Sequence, residues 1–66
     1  MERRYKYAWA DSVIVAASAP PRARPGQPGS VCGMREYEGC ILYLVEFPDG
    51  EAIEIPESGL EPHEAH

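Results

Sequence analysis

Residues 40–55, which read CILYLVEFPDGEAIEI, carry the clearest structural pattern in the chain. The first run, residues 40–47, is apolar, β-branched and aromatic, which predicts a buried strand. The Asp-Gly pair after Pro48 supplies the positive φ angles of a tight turn. Residues 51–55 then alternate, with Ile53 and Ile55 facing inward and Glu54 outward. This stretch therefore predicts a β-hairpin.

Two further strands precede this hairpin. Residues 12–17 (SVIVAA) and 30–35 (SVCGMR) are predicted strands, and Gly33 indicates a bulge or a sharp bend in the second. Residues 18–29 between them contain four prolines, a density that excludes a ladder or a helix and predicts a long proline-rich loop. A polar turn is expected at residues 36–39, which would place Cys40 beside Arg35. Residues 58–62 predict a short 3₁₀ turn near the C-terminus that inserts Leu60 into the core.

These elements predict an all-β fold of four to five antiparallel strands, closed or half-closed into a small barrel. We expect an N-terminal arm or short strand at residues 1–10, the barrel at 11–62 and a flexible tail at 63–66. The expected core comprises Val13, Val15, Val31, Tyr43, Val45, Phe47, Ile53, Ile55 and Leu60. Leu42 and Leu44 face the other way and need cover from the N-terminal aromatic residues or from a partner.

Length and composition restrict the class of protein. A chain of 66 residues has room for one domain with a thin stability margin. Two cysteines are too few for a disulfide scaffold, and the apolar run after the basic N-terminus is too short for a secretory signal. No segment is long enough to span a membrane. We therefore expect a reduced, cytoplasmic protein without membrane contact.

The charge is divided unevenly along the chain. The net charge is −5, yet all six lysine and arginine residues lie at or before position 35. Residues 1–35 carry +4, and residues 36–66 carry nine acidic residues with no lysine or arginine, or −9. This division indicates either attraction between the two halves across the sheet or a charged contact surface.

The order of the motifs resembles that of small bacterial SH3-like barrels. The motifs are DSVIV at 11–15, PGQPGSV at 25–31, YLVEFPDG at 43–50 and LEP at 60–62. The sequence looks most like the uncharacterised DUF4926-type family, with looser likeness to KOW and PsaE-like barrels. The likeness covers roughly residues 8–62 and departs at Ala10, where the pattern has glycine.

The resemblance implies a fold and no particular activity. Its motifs consist of turn glycines and core residues, and the SH3-like fold has many unrelated roles. KOW-type relatives contact RNA or polymerase, PsaE-like ones dock in large complexes, and several small barrels are accessory or immunity-type proteins. No catalytic residue of a family is available to carry over.

The residues provide no recognisable catalytic or metal centre. Cys32, Cys40, His63 and His66 lack the spacing of zinc ligands. A nucleophilic cysteine needs a histidine held nearby, and both histidines lie in the predicted tail. We therefore expect no enzymatic activity, no metal and no cofactor.

Protein binding is the leading functional hypothesis, with self-association through an apolar patch as one form of it. The patch would combine the N-terminal rings with Leu42 and Leu44, and the proline-stiffened loop would present arginines at little entropic cost. One alternative is a nucleic-acid-associated, KOW-like domain, which the acidic total disfavours. Another is an immunity-type protein that neutralises a basic toxin. The candidate partner-binding residues are Tyr5, Tyr7, Trp9, Arg22, Arg24, Leu42, Leu44, Asp49, Glu51 and Glu54.

Overall fold

The computed structural model describes residues 5–63 as one five-stranded antiparallel sheet. The strands are β1 (Ser12–Val15), β2 (Pro28–Tyr37), β3 (Cys40–Glu46), β4 (Ala52–Pro56) and β5 (Leu60–Pro62). Their order across the sheet is β4-β3-β2-β1-β5. Two 3₁₀ turns complete the fold, one at Pro21–Ala23 in the β1–β2 loop and one at Glu57–Gly59 between β4 and β5. The predicted all-β class is confirmed.

The sheet has two edge strands, β4 and β5. β4 pairs with β3 and β5 pairs with β1, and within residues 5–63 these two outer strands do not pair with each other. No helix in this part of the chain has the length and hydropathy to cross a membrane. Of the predicted tail at 63–66, His63 is described, and its N–H donates to the Ser12 carbonyl at 3.2 Å. Residues 1–4 and 64–66 lie outside the described residues.

The β2–β3 hairpin is tighter than predicted. Its turn consists of Glu38 and Gly39, whose φ angles are 50° and 81°, as in the two-residue turns that match the twist of a hairpin. Tyr37 therefore pairs with Cys40. The expected four-residue turn and the pairing of Cys40 with Arg35 are wrong, because β2 continues two residues further than predicted.

β1 is shorter than predicted, and β2 begins earlier, because Pro28 and Gly29, which were expected in the loop, pair with β1. The Ala16 carbonyl accepts a hydrogen bond from the Ala19 N–H at 3.0 Å, which begins a turn directly after Val15. In β2, the pairing with β3 shifts register between Val31 and Gly33, so the predicted bulge is confirmed. The bulge bends β2, whose first residues pair with β1 while the rest pair with β3.

The core matches the predicted set with one exception and some additions. Eight of the nine predicted residues are buried, and Ile53 is half-buried against them. Tyr7 and Ala23, which lie outside the strands, also belong to the core. The core therefore draws on the N-terminal arm and on the β1–β2 loop as well as on the strands.

Candidate functional site

The structure separates the three N-terminal rings that were expected to share one face. Tyr7 is 4% exposed, and its ring packs edge-on against Tyr43 with centroids 5.2 Å apart. The half-buried Tyr5 packs on the same ring at 6.4 Å. Trp9 is 71% exposed, next to Ala10 at a φ of 72°. Tyr5 and Tyr7 thus serve the core, and Trp9 is left as the exposed ring.

The Tyr43 hydroxyl anchors the N-terminal arm. It accepts hydrogen bonds from the N–H of Lys6 at 2.8 Å and of Tyr7 at 3.1 Å, and it donates to Oε2 of Glu57 at 2.7 Å. Burial raises the pKa of Tyr43 above its ordinary value, because the ionised form would lose its hydration. The Tyr7 hydroxyl donates to the Leu60 carbonyl at 3.2 Å. The arm is therefore attached to both β3 and β5.

Arg24 holds the β1–β2 loop against the β3–β4 turn. Its guanidinium donates to both carboxylate oxygens of Asp49, at 3.2 and 2.9 Å, and to Glu51 at 2.5 Å. It also lies 4.9 Å from the centroid of the Phe47 ring. The hydrogen bond from Arg24 lowers the pKa of Asp49 below its ordinary value. Three candidate binding residues are thus engaged with one another.

Leu42 and Leu44 lie on the outer face of β3, as predicted, but their cover is not the N-terminal arm. Leu42 is opposite Arg35 on β2, and Leu44 is opposite Glu54 on β4. Arg35 and Glu54 form a bidentate ion pair at 2.6 and 2.8 Å, which therefore crosses β3 between the two leucines. Leu44 remains 37% exposed. The expected single patch of rings and leucines does not form.

Arg22, the remaining candidate, lies on the rim of a groove of about 260 Å³ between the β1–β2 loop and β4. The lining is mostly apolar. On the loop side it consists of Ser18, Ala19, Pro20, Arg22 and Ala23. On the strand side it consists of Ile53, Glu54, Ile55 and Pro56, with Ser58 and Gly59 at one end. The described residues provide no ion pair for Arg22.

The strand side of this groove is the unpaired edge of β4. The Phe47 N–H donates to the Glu51 carbonyl at 2.8 Å, which fixes the alternation of the β3–β4 ladder. By that alternation Ile53 and Ile55 bond to β3, while the N–H and C=O of Glu54 point away from it. Pro56, which has no N–H to offer, belongs to this outward set. No described residue pairs with the Glu54 backbone.

A second groove, of about 410 Å³, is wider and more polar. It includes Ser12, Ser30 and Glu46, which lie in register across three strands, and His63. No hydrogen bond joins these four side chains within residues 5–63, so they form no proton relay. Its shallow polar surface offers little apolar area to a ligand, and the groove beside β4 is the stronger candidate.

Sequence reasoning missed most residues of the groove beside β4. Ala19, Pro20 and Ser58 carry no chemical signature, and their proximity to β4 depends on how the loop folds. One signal was present. Glu54 and Pro56 within five residues are typical of an edge strand, and they mark β4 as the strand with a free side.

Protein-family models, curated proteins and solved structures provide no match to the chain.

Proposed function

We propose that the chain is a non-catalytic, cytoplasmic protein-binding module whose binding site is the groove between the β1–β2 loop and β4. The observation that carries this proposal is the coincidence of an apolar groove with an unpaired strand edge. A partner would bury the apolar surface of the groove and would form hydrogen bonds with the unpaired backbone groups of β4. Contacts within the described residues do neither.

The proposal includes an SH3-like fold of the kind that the DUF4926-type resemblance implies. Three features support it. They are the strand order β4-β3-β2-β1-β5, the bulge that lets β2 serve both halves of the sheet, and the 3₁₀ turn directly before β5. The fold would be a half-closed barrel, open between its two outer strands.

The loop side of the groove is held in place before a partner arrives. Arg24 ties the loop to Asp49 and Glu51, and Ala23 inserts into the core. Pro20 and Pro21 limit the backbone freedom of the same segment. Little conformational entropy is therefore lost when a partner binds, which favours affinity.

The alternative functions receive less support from the geometry. Nucleic-acid binding would use rings that stack on bases, yet Tyr7 is buried and Tyr5 packs on Tyr43. Recognition of a basic toxin would use the acidic run, yet Asp49 and Glu54 already pair with arginines of the same chain.

Selection from a random-peptide display library, followed by titration of the labelled protein with a selected peptide, tests the proposal. We expect the largest NMR shift changes in the groove, from Ala19 to Ala23 and from Ile53 to Gly59. Ser58→Glu, which places a carboxylate at the end of the groove, should weaken binding by about tenfold or more.

Leu44→Glu is the matched control, because it adds the same charge to an exposed apolar position on the outer face of β3. This variant should bind as tightly as the wild type. The opposite pattern, with Leu44→Glu weakened and Ser58→Glu unchanged, would place the partner on the outer face and contradict the proposal.

A further inference from the structure

We propose that the groove receives an extended segment of another protein, which adds to β4 as a sixth strand of the sheet. This inference rests on the proposed function and names the form of its ligand. The N–H and C=O groups of Ala52 and Glu54 are unpaired and recur at every second residue. An incoming strand would form hydrogen bonds with these groups. The partner segment would supply its own backbone groups at the same repeat.

A polyproline helix fits the groove less well. Such segments dock between aromatic side chains, and none of the residues that line the groove is aromatic. Proline residues also lack the N–H group that would donate a hydrogen bond to the Glu54 carbonyl. An extended strand uses the groups that the groove contains, whereas a polyproline segment leaves the backbone of Glu54 unpaired and buried.

A second copy of the chain is also a poor occupant. Antiparallel pairing of two β4 strands about their midpoint would place Glu54 opposite Glu54, and like charges directly opposite each other destabilise a sheet. Each copy also carries a net charge of −5. The loop side of the groove, at Ala19 and Pro20, would also lie beside the edge in both copies. A narrow segment from a different protein avoids all three problems.

The groove also indicates the side chains of the segment. Side chains that face inward would contact Ile53, Ile55 and Ala19, which favours small or β-branched apolar residues at alternate positions. Arg22 on the opposite rim has no carboxylate partner within residues 5–63. An Asp or Glu in the segment would complete an ion pair with it. The ligand class is therefore an extended, alternating apolar segment with one acidic residue.

The first test is the pattern of the peptides that the display library yields. We expect alternating β-branched residues with an acidic residue at a fixed position and few prolines. Backbone N-methylation, scanned along one selected peptide, should weaken binding about tenfold at every second residue and little in between. Enrichment of proline-rich peptides, or a uniform response to N-methylation, would overturn strand addition.

The second test removes the donor on the protein side. Glu54→Pro lacks the outward N–H, whereas its matched control Glu54→Ala keeps the N–H and loses the same ion pair with Arg35. We expect Glu54→Pro to bind the selected peptide about tenfold more weakly than Glu54→Ala. Equal affinities would overturn the inference. Circular dichroism and thermal unfolding of both variants establish that each is folded.

The third test assigns the acidic residue. A double-mutant cycle combines Arg22→Gln with an Asp→Asn or Glu→Gln change in the peptide. We expect each single change to weaken binding by about two- to fivefold and the double change to cost little more than either. Fully additive changes would show that the acidic residue and Arg22 do not interact, and would overturn the predicted charge of the segment.

These outcomes separate the two proposals. If Ser58→Glu lowers affinity while Glu54→Pro and Glu54→Ala bind alike, the groove remains the binding site and strand addition is wrong. If Ser58→Glu binds normally, the groove itself is wrong. A concentration-dependent dimer that Glu54→Pro abolishes, measured by sedimentation without peptide, would make a second copy the occupant and overturn the assignment to another protein.

Discussion

The two edge strands differ in whether other parts of the chain cover them, since β5 is covered and β4 is open. At β5 both outward backbone groups of Leu60 are bonded, since its N–H donates to the Glu57 carbonyl and its carbonyl accepts from the Tyr7 hydroxyl. Pro62 has no N–H to leave unpaired. At β4 the corresponding groups of Glu54 face a groove and have no partner among the described residues. An edge that is covered protects the fold, and an edge that is open beside an apolar groove can recognise a ligand.

The difference follows from where the aromatic side chains lie. Tyr43 on β3 reaches the N-terminal arm and holds it with one hydroxyl, and Tyr7 then reaches β5. On the other side, Arg24 attaches the loop to the β3–β4 turn and leaves β4 itself uncovered. The buried Tyr43 hydroxyl thus holds the arm that covers β5, whereas the exposed ion pair of Arg24 lies beside β4 and does not cover it.

The largest expected effect separates bonded from open positions within β4. Ile53→Pro should destabilise the protein by about 3 kcal/mol or more, because it removes a ladder hydrogen bond to β3. Glu54→Pro should have a small effect, since its N–H faces the groove. Urea unfolding compares the two, with Ile53→Ala as the control for the lost side chain. Equal destabilisation would show that the Glu54 N–H is bonded as firmly as that of Ile53, which would contradict the open edge of β4.

The covered edge depends on the Tyr43 hydroxyl. Tyr43→Phe should lower the free energy of unfolding by about 2 kcal/mol, because the buried N–H of Tyr7 loses its acceptor. Tyr5→Phe is the matched control, as the Tyr5 hydroxyl has no hydrogen bond within residues 5–63. Chemical denaturation measures both changes, and amide exchange should show Leu60 and the arm opening together. An unchanged free energy of unfolding in Tyr43→Phe would mean that the arm is held by packing alone.

The turn that leads from the arm into β1 is strained at one residue. Ala10 has a φ of 72°, which glycine adopts without steric cost. We expect Ala10→Gly to stabilise the protein by about 0.5–1 kcal/mol, whereas Ala8→Gly, at a residue without positive φ, should destabilise it. Thermal unfolding of the pair provides the measurement. A destabilised Ala10→Gly variant would contradict the described turn.

The ion pairs beside the open edge should produce the smallest effect, a weak loss of stability in acid. Arg24 lowers the pKa of Asp49 below 3.8, and Arg35 lowers that of Glu54 below 4.5. The folded chain binds these protons less tightly than the unfolded chain, so stability is lost as pH falls below about 4.5. Exposed pairs are screened by solvent, which keeps the loss small. Urea unfolding across this range should show a shallower decline in Arg24→Gln, and an unchanged decline would exclude Asp49 as a contributor.

Four of the five strands and most of the core could be predicted from the sequence because they depend on local patterns, whereas Leu60–Pro62, predicted as part of a 3₁₀ turn, forms β5. Alternation placed Ile55 inward and Glu54 outward, and Gly33 marked the bulge. The β2–β3 turn was misplaced, although Glu38-Gly39 resembles the dipeptides typical of two-residue turns. The positive φ of Ala10 was not predicted, since alanine carries no local signal for a conformation that glycine adopts without steric cost.

The candidate site was predictable in part. The sequence indicated that arginines, acidic residues and aromatic rings were available for contact, because charge and aromaticity are properties of each residue by itself. It did not indicate that Arg24 would pair with Asp49 and Glu51, or that Tyr7 would be buried, because these contacts join residues more than twenty positions apart. Such contacts depend on how the loop and arm pack on the finished sheet.

Local physical chemistry in the chain specifies the strands, their inward faces and the turns between them, since each depends on neighbours within a few residues. The packing of distant segments specifies which edge is covered and which ion pairs form. The groove lies between β4 and the β1–β2 loop, which Arg24 attaches to the β3–β4 turn, whereas the Tyr43 hydroxyl binds the arm that covers β5. The positions of the arm and the loop depend on contacts between distant segments, which a local sequence pattern does not predict.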